Sequence, residues 1–151
     1  MRELEKIGVA PRATYAVDWS KGTGEAKGPY DRILIDAPCS GTGTIRRRPE
    51  LALRRANNDV ARLAVTQREI LARAATLVKP GGRVVYAVCS ILREEAEEVI
   101  AGASSFGLTP APFDASAAIA ASSAEATALR LLPSRHGTDG YFVASFVRSE
   151  T

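Results

Sequence analysis

Histidine occurs once in these 151 residues, cysteine twice and lysine four times. No apolar run approaches the ~20 residues needed to span a bilayer. Each scarcity excludes something. A single histidine, His136, rules out multi-histidine metal sites and leaves any Cys/His dyad dependent on one remote ring, so no metal is expected. The two cysteines are Cys39 and Cys89, and Met1–Lys6 alternate charge with apolar side chains instead of forming a signal-peptide core. A structural disulfide is therefore not expected, and the setting inferred is the cytoplasm, away from membranes. A composition 46% hydrophobic and 25% charged excludes disordered, collagen-like and disulfide-scaffold classes.

The net charge of +3 is modest, but it is unevenly placed. Between Ile45 and Arg73 stand eight arginines (46, 47, 48, 54, 55, 62, 68 and 73) against Glu50, Asp59 and Glu69, so this segment carries +5 and the remainder −2. Sixteen of the twenty cations are arginine, whose planar fork suits phosphate and stacks on bases. Charge alone fits either a solvated helix face or a nucleic-acid surface.

Along the chain, Met1–Val9 reads as a helix end and Ala13–Val17 as a short strand leading to Asp18. Arg32–Asp36 is a compact apolar run that suits a strand buried on both faces. Asn57 or Asn58 can cap a long helix with apolar positions at Val60, Leu63, Ile70, Leu71, Ala74 and Leu77, stopped by Lys79-Pro-Gly-Gly82. Arg83–Val88 reads as a second buried strand, followed by an acidic helix from Arg93 to Ala103. Residues 115–128 are a biased Ala/Ser stretch, a weak helix or a loop, and Tyr141–Arg148 reads as a final strand. Alternation of strand and helix implies an α/β fold with a mostly parallel sheet and right-handed crossovers, as a single domain over 1–151.

Three phosphate-loop readings fail on spacing. Gly22-Thr-Gly24 lacks the third fingerprint glycine and precedes a strand instead of following one. Gly41-Thr-Gly43-Thr44 lacks the P-loop lysine, and Cys39 and Arg46 are separated by six residues where a phosphatase loop needs five. The cysteines remain. Each lies just past the carboxyl end of an expected strand, the edge where open parallel sheets bind ligands. If those strands are neighbours, ~4.8 Å apart, both thiols share one rim with Asp36. Spacing leaves two readings open, a catalytic pair or two small buried hydrophobes.

Asp36-Ala-Pro-Cys-Ser-Gly-Thr-Gly43, then Arg47 and Pro49, Gln67, Lys79-Pro-Gly-Gly82, Tyr86-Ala-Val-Cys-Ser90 with Glu94-Glu95, and Asp139-Gly-Tyr-Phe142 resemble the motifs of the Nol/Nop/Sun (RsmB-like) family of RNA cytosine-5 methyltransferases. The resemblance implies a Rossmann-like class I methyltransferase fold with strand order 3-2-1-4-5-7-6, and S-adenosylmethionine as cofactor. It implies Cys89 as the nucleophile that adds to carbon 6 of cytosine and Cys39 as the residue assisting product release. Cofactor contacts would come from Asp18, Asp36 and Pro38. Substrate contacts, to rRNA or tRNA, would come from Asp36, Arg46, Arg47, Arg48 and Ser90. Val88 and Arg93 stand where the family usually has Thr and Pro, and Ala96 where it has Asn. The family's Gly-rich cofactor loop, first two core strands, a motif lysine and the N-terminal RNA-binding extension would precede Met1, so the chain is expected to lack them and to bind the cofactor weakly or not at all by itself. The alternative from another class is a non-catalytic RNA-binding fragment using Arg46–Arg73. A thiol-redox domain is disfavoured by the absence of Cys-x-x-Cys.

Overall fold

The computed structural model describes residues 6, 8, 10–54, 57–112 and 126–150. The helix end expected at Met1–Val9, the Ala/Ser stretch up to residue 125 and Arg55 of the basic segment therefore fall wholly or largely outside the described residues.

Five strands form one sheet: β1 (Tyr30–Asp36), β2 (Val78–Val88), β3 (Leu108–Pro110), β4 (Ala128–Leu131) and β5 (Tyr141–Arg148). Among the described residues the helices α1 (Leu51–Arg54), α2 (Asn57–Leu77), α3 (Glu97–Ile100) and α4 (Pro133–His136) complete the order, with short 3-10 turns between elements. The spatial order is β1-β2-β5-β3, with β4 also on β5. This matches the 4-5-7-6 half of the order implied by the resemblance. β1 and β2 are parallel, in register from Arg32 opposite Arg83 to Asp36 opposite Ala87, with α2 as the crossover between them. The α/β architecture stands, but the sheet is mixed where a mostly parallel one was expected. β5 runs antiparallel to β2, β3 and β4, and from β4 it is reached through the short α4 and the turn residues after it.

The core is a single cluster in which Val84, Tyr86 and Val88 of β2 meet Leu71 of α2, Val99 of α3 and Phe142 and Phe146 of β5. Burial in β2 alternates, so one face is sealed and the other half-open. β1 departs from the expectation of burial on both faces: Ile35 is 6% exposed but Leu34 is 73% exposed. Among the described residues β1 pairs only with β2, leaving its other edge open. Residues 13–17, expected as a short strand, form none. α2 buries Ala64, Gln67, Leu71, Ala74 and Ala75, a helical stripe. Arg148 caps its far end, donating to the carbonyls of Ala75 and, at 3.0 Å, Val78. The expected acidic helix is broken into a 3-10 turn at Arg93–Glu95, α3 and a second turn at Ala103–Phe106, because Ala96 takes φ −119° and ψ −101° where Glu95 turns inward. Among the described residues no helix is long and apolar enough to cross a membrane.

Candidate active site: a thiol pair at the rim of two parallel strands

Ladder register carries Cys39 and Cys89 to the same edge of the sheet. The Ala37 N–H donates to Ala87 O at 3.0 Å, extending the β1–β2 pairing by one residue, and both chains then turn away from each other's strand. The two sulfurs end 3.3 Å apart, both half-buried. Burial first, then the contact with Cys89, push the Cys39 thiol up to about 12. Cys39 is thus held as a neutral thiol at physiological pH, with an S–H that can point at Cys89.

Backbone contacts fix the loop between Cys39 and α1. Gly41 takes φ +74°, the left-handed region that glycine enters without cost. The Gly43 N–H donates to Cys89 O at 3.0 Å, and the Gly140 N–H donates to Gly43 O at 2.8 Å. A Cβ on Gly43 would lie 2.0 Å from Gly140 O, so the two glycines touch backbone to backbone. The Asp139-Gly140 pair therefore braces the Cys39 loop.

Behind the thiols lies a polar cluster. Glu95 is fully buried, and its Oε1 accepts from the Ser40 N–H at 2.7 Å and from Gln67 Nε2 at 3.2 Å. Its Oε2 accepts from the Ser40 hydroxyl at 2.5 Å and the Ser90 hydroxyl at 2.6 Å. Gln67 Nε2 also donates to Pro38 O at 2.8 Å, and the Thr42 and Ser90 hydroxyls lie 3.1 Å apart. Tyr86 donates from its hydroxyl to the Glu95 carbonyl at 2.7 Å, and burial raises its phenol.

The other proposed site residues fall into three places. Asp36 is exposed at the rim, and with Pro38 it lines a cavity of about 460 Å³ whose walls include Tyr15, Trp19 and Tyr30. That size falls in the range of small-ligand sites, and the lining combines flat rings, apolar β1 side chains, the Asp36 carboxylate and the Arg32 guanidinium. Asp18 does not line it. Its carboxylate accepts from Ser20 N at 3.1 Å and Ser20 Oγ at 2.6 Å and pairs with Lys21 at 3.1 Å, within the Tyr15–Trp19 segment that supplies two of the rings. Ser20 is the main reason the Asp18 carboxyl sits below its ordinary range.

Arg46 and Arg47 both reach Asp139, Arg46 also donating to Gly137 O at 2.9 Å, while Arg48 lies 3.6 Å from Glu50. All three remain well exposed, next in the chain to the Cys39 loop. Ser90 is placed differently from the expectation of an RNA contact: it is fully buried and its hydroxyl is spent on Glu95. His136 sits apart, its Nδ1 accepting from the Leu132 N–H at 2.9 Å at the start of α4. Among the described residues no group of three potential metal ligands occurs.

Two contributors were not singled out by composition or charge. Glu95 is one of four glutamates in six residues, yet Glu95, Val99 and Ala103 recur at helical spacing and all three are buried, so a charge on the apolar stripe was the available signal. Tyr141 follows in register from Val88 opposite Phe142, which sets it across from Cys89. Burial, then Cys89, Asp36 and Asp139, push its phenol up.

A family model described as 16S rRNA methyltransferase RsmB/F matches residues 1–147. The ribosomal RNA small subunit methyltransferase B of Pasteurella multocida is 36% identical over 136 residues, 87% of this chain and 29% of that protein. Its Shewanella oneidensis counterpart is 38% identical over 120 residues, 80% of this chain and 27% of that protein. Among solved structures, NSun6 from Pyrococcus horikoshii with SFG superposes with a TM-score of 0.78 at 25% identity, covering 99% of this chain and 38% of its own. A methyltransferase homolog protein from the same organism gives 0.73 at 28% identity, covering 97% of this chain and 48% of its own. The chain thus spans under a third of the length of these two curated relatives.

Proposed function

The chain belongs to the 16S rRNA methyltransferase RsmB/F family, and from that premise we propose that it carries the thiol centre of an S-adenosylmethionine-dependent RNA cytosine-5 methyltransferase. The observation that carries the reading is the 3.3 Å approach of Cys39 and Cys89 at the ligand-binding edge of two adjacent parallel strands. Carbon 5 of cytosine is too weak a nucleophile to accept a methyl group directly. Addition of the Cys89 sulfur to carbon 6 turns carbon 5 into an enamine-like carbon that can. Elimination then removes the carbon 5 proton to a base, re-forms the 5,6 double bond and releases Cys89 sulfur with the electron pair of the broken bond. A neutral Cys39 thiol beside that sulfur can donate its S–H to the departing thiolate, which gives it the release role.

S-adenosylmethionine, when bound, supplies an electrophilic methyl group. SFG in the archaeal neighbour is an analogue of it, which supports this cofactor. Asp36, Pro38 and the Tyr15–Trp19 segment with Asp18 would hold it, in the cavity beside β1. The open edge of β1 leaves that cavity one-sided among the described residues, so the chain by itself should bind the cofactor weakly; micromolar affinity by calorimetry would contradict this. Asp36 faces the target base, and the exposed Arg46, Arg47 and Arg48 suit the RNA backbone. A free thiol pair also requires a reducing compartment such as the cytoplasm.

The test is covalent capture of 5-fluorocytosine RNA at millimolar S-adenosylmethionine, read on a denaturing gel. Wild type should form the adduct, Cys89→Ala should not, and Cys39→Ala should accumulate it. RNA binding with no adduct in the wild type and in Cys39→Ala would overturn the cytosine-5 reading in favour of a non-catalytic RNA-binding role.

A further inference from the structure

We propose that Glu95 is the positioning residue of the thiol pair, a single buried carboxylate that clamps Cys39-Ser40 to Cys89-Ser90. The inference rests on the reading of the two thiols as the reactive centre. Each cysteine is followed directly by a serine, and both serine hydroxyls donate to the same oxygen, Oε2, at 2.5 and 2.6 Å. The other oxygen takes the Ser40 N–H at 2.7 Å and Gln67 Nε2 at 3.2 Å. Four donors thus converge on two oxygens, in a residue 0% exposed.

A carboxylate in that place is expensive unless its hydrogen bonds are made, and an apolar side chain could fill the same volume at no such cost. What an apolar side chain could not do is tie the two turns together. The Ser40 and Ser90 hydroxyls are 3.4 Å apart and the sulfurs 3.3 Å apart, two parallel rungs of one ladder between the loops. Glu95 is itself held from the sheet side, where the Tyr86 hydroxyl donates to its carbonyl at 2.7 Å. The anchor runs from β2 through Glu95 to both loops. Without it the Gly43 N–H to Cys89 O bond and the Thr42–Ser90 hydroxyl contact still join the loops, but the tie at the residues directly beside the two sulfurs is lost.

The experiment measures how readily the two thiols of chain 1–151 join when treated with diamide, which takes two electrons and two protons from the thiols as they couple. The closure rate is divided by the rate at which the remaining thiol reacts in single-cysteine backgrounds, giving the effective concentration of one sulfur at the other, a quantity that a loss of global stability does not move so long as circular dichroism shows the chain folded. Glu95→Ala should lower that ratio about tenfold or more, since a misplacement of ~1 Å is felt strongly in such reactions. Glu95→Gln, which keeps the shape and one acceptor facing the Ser40 N–H, should retain most of it. A folded Glu95→Ala chain with the wild-type ratio overturns the proposal. Should Glu95→Ala not fold, Ser90→Ala, which removes one leg of the clamp, takes its place: a fall in the ratio supports the proposal and an unchanged ratio overturns it. Diamide coupling needs neither RNA nor cofactor, so its outcome is separate from that of the 5-fluorocytosine capture.

Discussion

Replacing Gly43 by alanine tests whether the contact between Gly43 and Gly140 sets the geometry of the site. The new Cβ would lie 2.0 Å from the Gly140 carbonyl oxygen and 2.7 Å from its carbon, whereas ordinary contact begins at 3.4 Å, so the two segments must part by about 1.4 Å. The obstacle is backbone, so no rotamer change relieves it. The 2.8 Å hydrogen bond from the Gly140 N–H to Gly43 O does not survive such an opening. Overpacking costs ~1–3 kcal/mol and a lost hydrogen bond ~0.5–1.5, so destabilisation of about 2–4 kcal/mol is expected. The same displacement pulls the Gly43 N–H from Cys89 O, now 3.0 Å away, and should slow diamide coupling of the thiols. Urea unfolding monitored by circular dichroism gives the first quantity and a gel-shift time course the second. A Gly43→Ala chain within about 0.5 kcal/mol of wild type, the range of an ordinary surface change, and coupling at an unchanged rate would refute the reasoning.

Stability should also fall with alkaline pH. An ordinary thiol titrates near 9.0 and folded Cys39 is pushed up to about 12, so its contribution is complete below pH 9 and is lost as pH rises from 9 to 12. The urea midpoint should drop between pH 8 and 10.5, and drop less in Cys39→Ala; parallel curves for the two chains would contradict this. Leu71→Ala empties a fully buried position in α2 and should cost about 2–5 kcal/mol in the same assay. Arg48→Ala, altering an exposed side chain, should weaken RNA binding and reduce the salt slope by about one, with the melting temperature unchanged. Arg47→Ala should weaken RNA binding and also lower the melting temperature, because it removes the nearer of the two arginines that reach Asp139, whose side chain is 10% exposed.

The thiol pair was legible because its geometry follows from few assumptions. Two apolar runs become neighbouring parallel strands, and a cysteine stands just past each. β5 was legible for the same kind of reason: Phe142, Ala144 and Phe146 alternate, and all three are buried. β3 and β4, of three and four residues, carry too little pattern to read, and they are strands because β5 offers one edge to both, end to end. Residues 13–17 show the converse, a β-like composition that does not become a strand. The acidic helix was misread because its periodicity is real, at Glu95, Val99 and Ala103, but the hydrogen bonds of Glu95 to two serines outweigh the continuity of the helix. The burial of Ser90 was not legible, because nothing local shows that a carboxylate five residues on will fold back over it.

β5 is late in the chain yet interior to the sheet, flanked by β2 on one side and by β3 and β4 on the other. During synthesis, therefore, β2 must wait with an open edge until residues 141–148 have left the ribosome's exit tunnel. The brace formed by Asp139 and Gly140 arrives immediately ahead of that strand. A nascent chain stopped before residue 139 would hold both cysteines, Ser40, Ser90 and Glu95, but the loop that carries Cys39 would lack its outer support. Efficient coupling of the two sulfurs is therefore expected only once residues 139–140 have emerged, and the length of emerged chain at which diamide first joins the thiols efficiently would mark the moment.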